Sequence, residues 1–234
     1  YSGDVAAASA RALLTTVDAD TVTTDFDVAT SVAATVTAAA AVPAADSQTL
    51  VLTTSVDDLV GGVGNDSISG QMDATAALNT ASIVDSINGG DGTDTFTMIN
   101  TTANAVSTQG VGITNVENYK YFASNGGDLD FDDAGSATSF EINRTAGASN
   151  LTDVRTTDTV KFTDSAATMD ANMTYNAVNV ANAADEATVT LTGVTAGADL
   201  AFVGAVETMN IITAGTASSF ADLDFAATTT TLNI

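Results

Sequence analysis

Gly61-Gly62-Val63-Gly64-Asn65-Asp66-Ser67-Ile68-Ser69 is followed 28 residues on by Gly89-Gly90-Asp91-Gly92-Thr93-Asp94-Thr95-Phe96-Thr97. Both fit one nine-residue pattern, G-G-x-G-x-D-x-U-x, where U is a large apolar residue. The nine residues before each keep its later positions, with Asp57 and Leu59 ahead of the first and Asp85 and Ile87 ahead of the second. Segments 52–60 and 61–69 therefore form one pair, and 80–88 and 89–97 another. Glycines let the backbone turn at φ values closed to other residues, so carbonyl oxygens can face inward, and the Asp at the sixth position adds a carboxylate. Two places on, the apolar residue points the same way along a strand and anchors the turn to a core. Calcium takes six to eight oxygens in loose geometry, so stacked turns of this kind can close around it, whereas magnesium fits badly. One such stretch alone is equally an ordinary tight turn between strands. Two copies in register point to calcium, with Asp57, Gly61, Gly62, Gly64, Asp66, Asp85, Gly89, Gly90, Gly92 and Asp94 as the candidate ligands. In this arrangement Asp57 is the expected partner of Asp66 and Asp85 of Asp94, while Asp58 and Asp91 are solvated.

The rest of the chain agrees with a cation-loving, β-rich protein. Its 234 residues carry a net charge of −24, and only Glu117, Glu141, Glu186 and Glu207 of its 29 acidic residues are Glu. Asp disfavours helix and favours turns, where its short carboxylate lies beside its own carbonyl. An acidic surface can simply keep a protein soluble, but crowded like charge also strains a compact fold, and divalent cations would relieve it. Five basic residues make nucleic acid an improbable partner. The absence of Cys and His excludes disulfides, thiolate or imidazole metal sites and the usual nucleophilic triads. Stability must then come from packing, metal or assembly. The stretch 28–45, rich in Ala, Thr and Ser and containing Pro43, lacks the hydrophobicity of a membrane span. Tyr1 in place of an initiator Met predicts a fragment or a processed product.

Asp4–Thr15 reads as a short N-terminal helix, and 28–45 is undecided between helix and strand. Beyond residue 48 come short runs of β-formers between Gly, Asn, Asp and Ser: 49–53, 95–99, 116–122, 138–142, 159–163, 188–192, 207–213 and 230–234. Many short strands predict an all-β architecture. Few aromatic residues and much Val, Ile, Leu and Thr suit the slim core of an elongated solenoid, with a sandwich as the competing fold. Repetition supports the solenoid: Val116-Glu117 matches Val206-Glu207, Leu129-Asp130-Phe131 matches Leu223-Asp224-Phe225, and Thr138–Ile142 matches Thr230–Ile234, a unit of about thirty residues. The expected divisions are an Ala/Thr-rich segment 1–50, a calcium-binding region 51–100 and a repetitive β-rich region 101–234. The ten-residue insertion Gly70–Asn79 is expected to interrupt a regular roll.

Residues 51–100 resemble the repeats of RTX proteins, and 51–234 as a whole resemble calcium-binding S-layer and related surface proteins of Gram-negative bacteria. The resemblance implies a parallel β-roll or β-helix with calcium between successive loops, type I secretion and assembly on the cell surface. Asp128 and Asp130, which alternate with Leu129 and Phe131, are a second candidate calcium site or else a solvated edge that discourages aggregation. Paired carboxylates also serve glycoside hydrolysis, but scarce Glu and absent Trp argue against an enzyme. Tyr119 and Tyr121, either side of Lys120, are expected in packing or subunit contacts. Two functions are open. One is an extracellular, calcium-dependent structural subunit that assembles with copies of itself, with cell-surface polysaccharide as a further partner and no membrane insertion. The other is a calcium-folded spacer within a large secreted RTX adhesin or exoprotein.

Overall fold

The computed structural model describes residues 47–234 except 74, 83, 103–105, 108–111, 125, 132–133, 145, 156–158, 165–168 and 196–198. The expected N-terminal helix and the undecided stretch 28–45 lie outside the described residues. Ser47–Ile234 makes one unit, whose described regular elements are all strands apart from a single turn of 3-10 helix at Ala76–Leu78.

Strands are numbered in chain order. A long sheet of nine runs β1 (Thr49–Val51), β3 (Ser67–Met72), β5 (Thr95–Asn100), β8 (Asn118–Ala123), β10 (Ser139–Asn143), β12 (Thr159–Thr163), β14 (Glu186–Thr192), β16 (Thr208–Thr213) and β18 (Thr231–Asn233). A short sheet holds β2 (Asp58–Val63), β4 (Ser86–Asp91) and β7 (Gly112–Thr114). The third sheet runs β6 (Val106–Ser107), β9 (Leu129–Asp130), β11 (Ala148–Val154), β13 (Asp170–Tyr175), β15 (Asp199–Val203) and β17 (Asp222–Phe225). Among the described residues every strand pairing is parallel, from β1 with β3 through β16 with β18. Parallel neighbours need a crossover, and here each crossover is the rest of a coil. The fold is a parallel β-solenoid, not a sandwich. With about 4.8 Å between adjacent strands, the long sheet extends roughly 40 Å from β1 to β18.

Alternation along the strands builds the core. The burial of β8 and β10 switches at every residue, as a strand with one wet face requires. Inward side chains stack coil on coil: Ile68, Phe96, Tyr119, Phe140, Val160, Val189 and Ile211 occupy one register column of the long sheet, all at most 5% exposed. Phe140 lies 5.5 Å from Tyr119 and 3.9 Å from Phe131, ring centre to ring centre. Tyr119 and Tyr121 are both buried packing residues. Lys120 points outward between them, 3.6 Å from Glu141, which is itself in register with Lys161.

Coil length varies, as steps of 18, 28 and 23 residues at one corner show. The variation falls between strands rather than within the long sheet. Gly70–Met72, counted from the sequence as insertion, continue β3 and pair with β5, so the expected interruption is confined to the loop beyond Met72. The same sheet crosses position 100 unbroken through β5 and β8. Strand ends also share a device: Arg144, Asp164, Gly193 and Gly215 follow β10, β12, β14 and β16, and all four have left-handed φ, between 50° and 70°. The sequence repeats mark equivalent places. Both Val-Glu pairs precede a long-sheet strand, both Leu-Asp-Phe triplets lie on or against the third sheet, and both Thr-to-Ile runs lead the next long-sheet strand. The thirty-residue unit is therefore one coil plus a strand of the next.

Candidate metal centre at a solenoid corner

The two nonapeptides stack directly on each other. Gly61 and Gly62 lie in β2 and Gly89 and Gly90 in β4, with Gly62 opposite Gly90; after the turns 64–66 and 92–94, Ser67 of β3 pairs with Thr95 of β5. Ile68 and Phe96, 0% and 1% exposed, pin each turn to the core. Gly62, Gly90 and Gly92 have φ of 108°, 100° and 138°, the left-handed region that suits glycine.

This geometry drives Asp66 and Asp94 inside, to 2% and 0% exposure. One oxygen of each is spent on holding coil to coil. Asp66 Oδ1 accepts the Gln48 backbone N–H (2.6 Å), Asp94 Oδ1 that of Asp66 (2.7 Å), and Glu117 Oε2 that of Asp94 (2.8 Å). The other oxygens, Oδ2 of Asp66 and of Asp94, are buried and have no hydrogen-bond partner among the described residues. A buried polar atom left unsatisfied costs about 1–3 kcal/mol, and more if charged. Burial pushes the Asp94 carboxyl above its usual range; the Asp66 N–H opposes this, while the neighbouring charges of Asp66 and Glu117 add to it.

Those oxygens face backbone carbonyls. A Cβ built on Gly61 would lie 2.1 Å from Asp66 Oδ2 and 2.2 Å from the Gly89 carbonyl oxygen. One built on Gly89 would lie 2.4 Å from Asp94 Oδ2 and 2.0 Å from the Asn115 carbonyl oxygen. The carboxylate and carbonyl oxygens of each pair therefore stand close enough together for one cation, with bonds of about 2.3–2.6 Å, to touch both. Glycine leaves both cradles open. Hard oxygen donors drawn close together and an unsatisfied buried carboxylate fit calcium. Among the described residues no three acidic side chains gather at one point, so the shell would draw largely on carbonyls. A low carboxylate count suits the weaker affinities of extracellular modules.

The expected pairing of Asp57 with Asp66 and of Asp85 with Asp94 is corrected. Nine residues carry the chain from one corner of the coil to the next, so these partners sit at opposite ends of β2 and β4. Asp57 instead neighbours Asp85, whose Oδ1 accepts its N–H at 3.0 Å. At that corner every carboxylate oxygen has a donor: Thr53 serves Asp57 and Ser82 serves Asp85 Oδ2. Asp58 and Asp91 are exposed on β2 and β4.

Asp128 and Asp130 alternate with buried Leu129 and Phe131, as expected. Asp128 Oδ1 accepts both the backbone N–H and the side-chain amide of Asn150 (3.0 and 2.6 Å), and Asn150 accepts from Asn172 in turn. It is the first rung of an amide ladder. Asp132 and Asp133 lie outside the described residues.

Sequence reasoning missed Gln48, Asn115 and Glu117 at the corner. The repeated Val-Glu pair was the available signal for Glu117. Val116 and Val206 fill the core at 0% and 2% exposure, while Glu117 and Glu207 reach back to the N–H of Asp94 and Asp185 in the preceding coil. No family model, curated protein or solved structure matches this chain.

Proposed function

We propose that this protein is a calcium-dependent structural element of the bacterial cell surface, an S-layer or filament subunit that assembles outside the cell with copies of itself. The observation that carries the reading is the pair of buried Asp oxygens, without a hydrogen-bond partner among the described residues and each beside a carbonyl of the next coil. Calcium between those turns would neutralise charge in a chain of net −24 and clamp successive coils, which a fold without cysteines cannot do by disulfide. The resemblance to RTX and S-layer proteins adds type I secretion and an extracellular location, with surface polysaccharide as a second partner. The absence of His and Cys and carboxylate oxygens engaged with backbone donors support a structural rather than a catalytic role.

Electron microscopy of the purified protein in millimolar calcium, beside the same sample after chelation, tests this: ordered sheets or filaments are expected in calcium only. The roughly 40 Å run of parallel strands favours one alternative, a calcium-stiffened spacer in a larger secreted RTX protein. Light scattering that shows monomers at every concentration, with calcium bound, would select it.

A further inference from the structure

We infer that the outward face of the long sheet is the surface through which one copy of this chain docks on a second copy. The inference rests on the assembly reading above and names the surface that assembly would use.

Charge singles out this face. Copies of a chain of net −24 repel one another, and the repulsion is least where the facing surfaces carry no net charge. The strands of the long sheet set Lys120 and Lys161 against Glu141 and Glu186, a balanced set. Those of the third sheet hold Asp130, Asp153, Asp170, Asp199, Asp222 and Asp224 and no basic residue. The short sheet adds Asp58 and Asp91, again without a basic residue.

The balance is also patterned. Lys120, Glu141 and Lys161 follow one another in register, so a copy turned over by a two-fold axis offers Glu141 to Lys120 and Lys120 to Glu141. Beside them, the outward column that starts at Thr49, passes through Ser67 and Thr159 and ends at Asn233 holds only Ser, Thr or Asn, groups that both donate and accept hydrogen bonds. Val51, Ile99 and Ile212 lie on the same face at 60%, 40% and 48% exposure, and burying them against a second copy would be favourable. Size agrees. Nine strands at about 4.8 Å, with three outward columns about 6.8 Å apart, give roughly 600–800 Å², near the ~800 Å² per partner of a stable interface.

Sedimentation velocity and light scattering of the full chain in millimolar calcium test this on wild type, Ile212→Glu, Ile99→Glu and Val203→Glu. Each variant replaces an exposed apolar side chain with one carboxylate. Ile212 and Ile99 lie on the face, and Val203, 50% exposed on β15 of the third sheet, is the matched control. Circular dichroism and calcium uptake, expected unchanged in all three, show that the fold and the corner are intact. Ile212→Glu and Ile99→Glu should raise the concentration of half-assembly about tenfold or more, and Val203→Glu should leave it within about twofold. Equal behaviour of all three variants, weakened or not, refutes the face and leaves the assembly reading standing. Wild type that stays monomeric at every concentration refutes both, and retention of that monomer on a neutral dextran matrix, lost in Ile212→Glu, would assign the face to a polysaccharide instead.

Discussion

Replacing Gly61 with alanine puts a methyl group where the structure places two oxygens. The new Cβ would stand 2.1 Å from Asp66 Oδ2 and 2.2 Å from the Gly89 carbonyl oxygen, about 1 Å inside ordinary carbon–oxygen contact. The carboxylate can rotate, but the carbonyl belongs to β4 and moves only with the ladder that pairs β2 to β4. Overpacking of this kind costs about 1–3 kcal/mol, although Gly→Ala at an unstrained, open site stabilises by about 0.4–1 kcal/mol through the unfolded chain. Gly135, with nothing within 4 Å of its built Cβ, is the matched control. Calcium adds a second term. At a concentration a hundred times its dissociation constant, about 10 mM for a site of about 10⁻⁴ M, it stabilises wild type by about 2.7 kcal/mol. A blocked cradle forgoes this, so the gap between Gly61→Ala and wild type should widen to about 4–6 kcal/mol. Urea unfolding in chelator and in calcium measures both terms. A Gly61→Ala protein as stable as Gly135→Ala in chelator would refute the packing of the corner, and a gap that calcium does not widen would refute the cradle as a metal site.

Acidification from neutrality toward the unfolded Asp value of 3.8 should stabilise the metal-free protein through Asp94. Because burial raises the Asp94 pKa above its unfolded 3.8, the fold takes up a proton at higher pH than the unfolded chain and gains stability as pH falls through the raised value; calcium affinity should fall over the same window. Glu141, where burial raises the pKa but the Asn143 amide, Lys120 and Lys161 outweigh it and leave it below 4.5, contributes stability that is lost as pH falls through its lowered value, the opposite sign from Asp94, so melts at stepped pH read both. Tyr121, pushed up to about 12 chiefly by burial, and Tyr175, higher still for the same reason, should resist ionisation in an ultraviolet titration. Since both pKa values lie above the unfolded 10.0, stability should decline as pH rises past 10. Phe140→Ala, at 1% exposure in the ring stack, should cost about 3–5 kcal/mol in urea unfolding, whereas Val178→Ala at 83% exposure should stay within about 0.5 kcal/mol. Asp170, Asp199 and Asp222 face one another in register, all exposed, along the third sheet. Asp199→Asn should raise the melting temperature at low salt, and the gain should fade near 1 M, where the screening length is about 3 Å.

All eight strands legible in the sequence fall on the long sheet. Its segments, such as Thr95–Asn100 and Thr159–Thr163, alternate Thr or Lys with Val, Phe or Met, because one face is wet and the other packed. Most of the third sheet is hidden because β11, β13, β15 and β17 open on Ala or Asp, and β11 and β13 also carry Asn at outward positions, Asn150 and Asn172. Those are poor β-formers, held in strand by register with neighbouring coils rather than by propensity. The short sheet looks like turn in the sequence, since Gly61-Gly62 and Gly89-Gly90 resemble loop residues but lie within β2 and β4. At the corner, Asp66 and Asp94 were legible from the pattern. Their pairing was not, because a nine-residue spacing says how often a corner recurs but not which corners stack. Asn115 carried no sequence signal beyond an asparagine's tolerance of left-handed φ, since it supplies a backbone carbonyl that any residue has.

Long-wavelength diffraction from crystals grown in calcium would locate the ions by their anomalous signal and tests the central claim most directly. The account predicts a peak within about 2.3–2.6 Å of Asp66 Oδ2 and the Gly89 carbonyl oxygen, and another beside Asp94 Oδ2 and the Asn115 carbonyl oxygen. Anomalous density confined to Asp57, Asp85 or Asp128, with the two buried Oδ2 atoms bonded to protein donors or water, would contradict it.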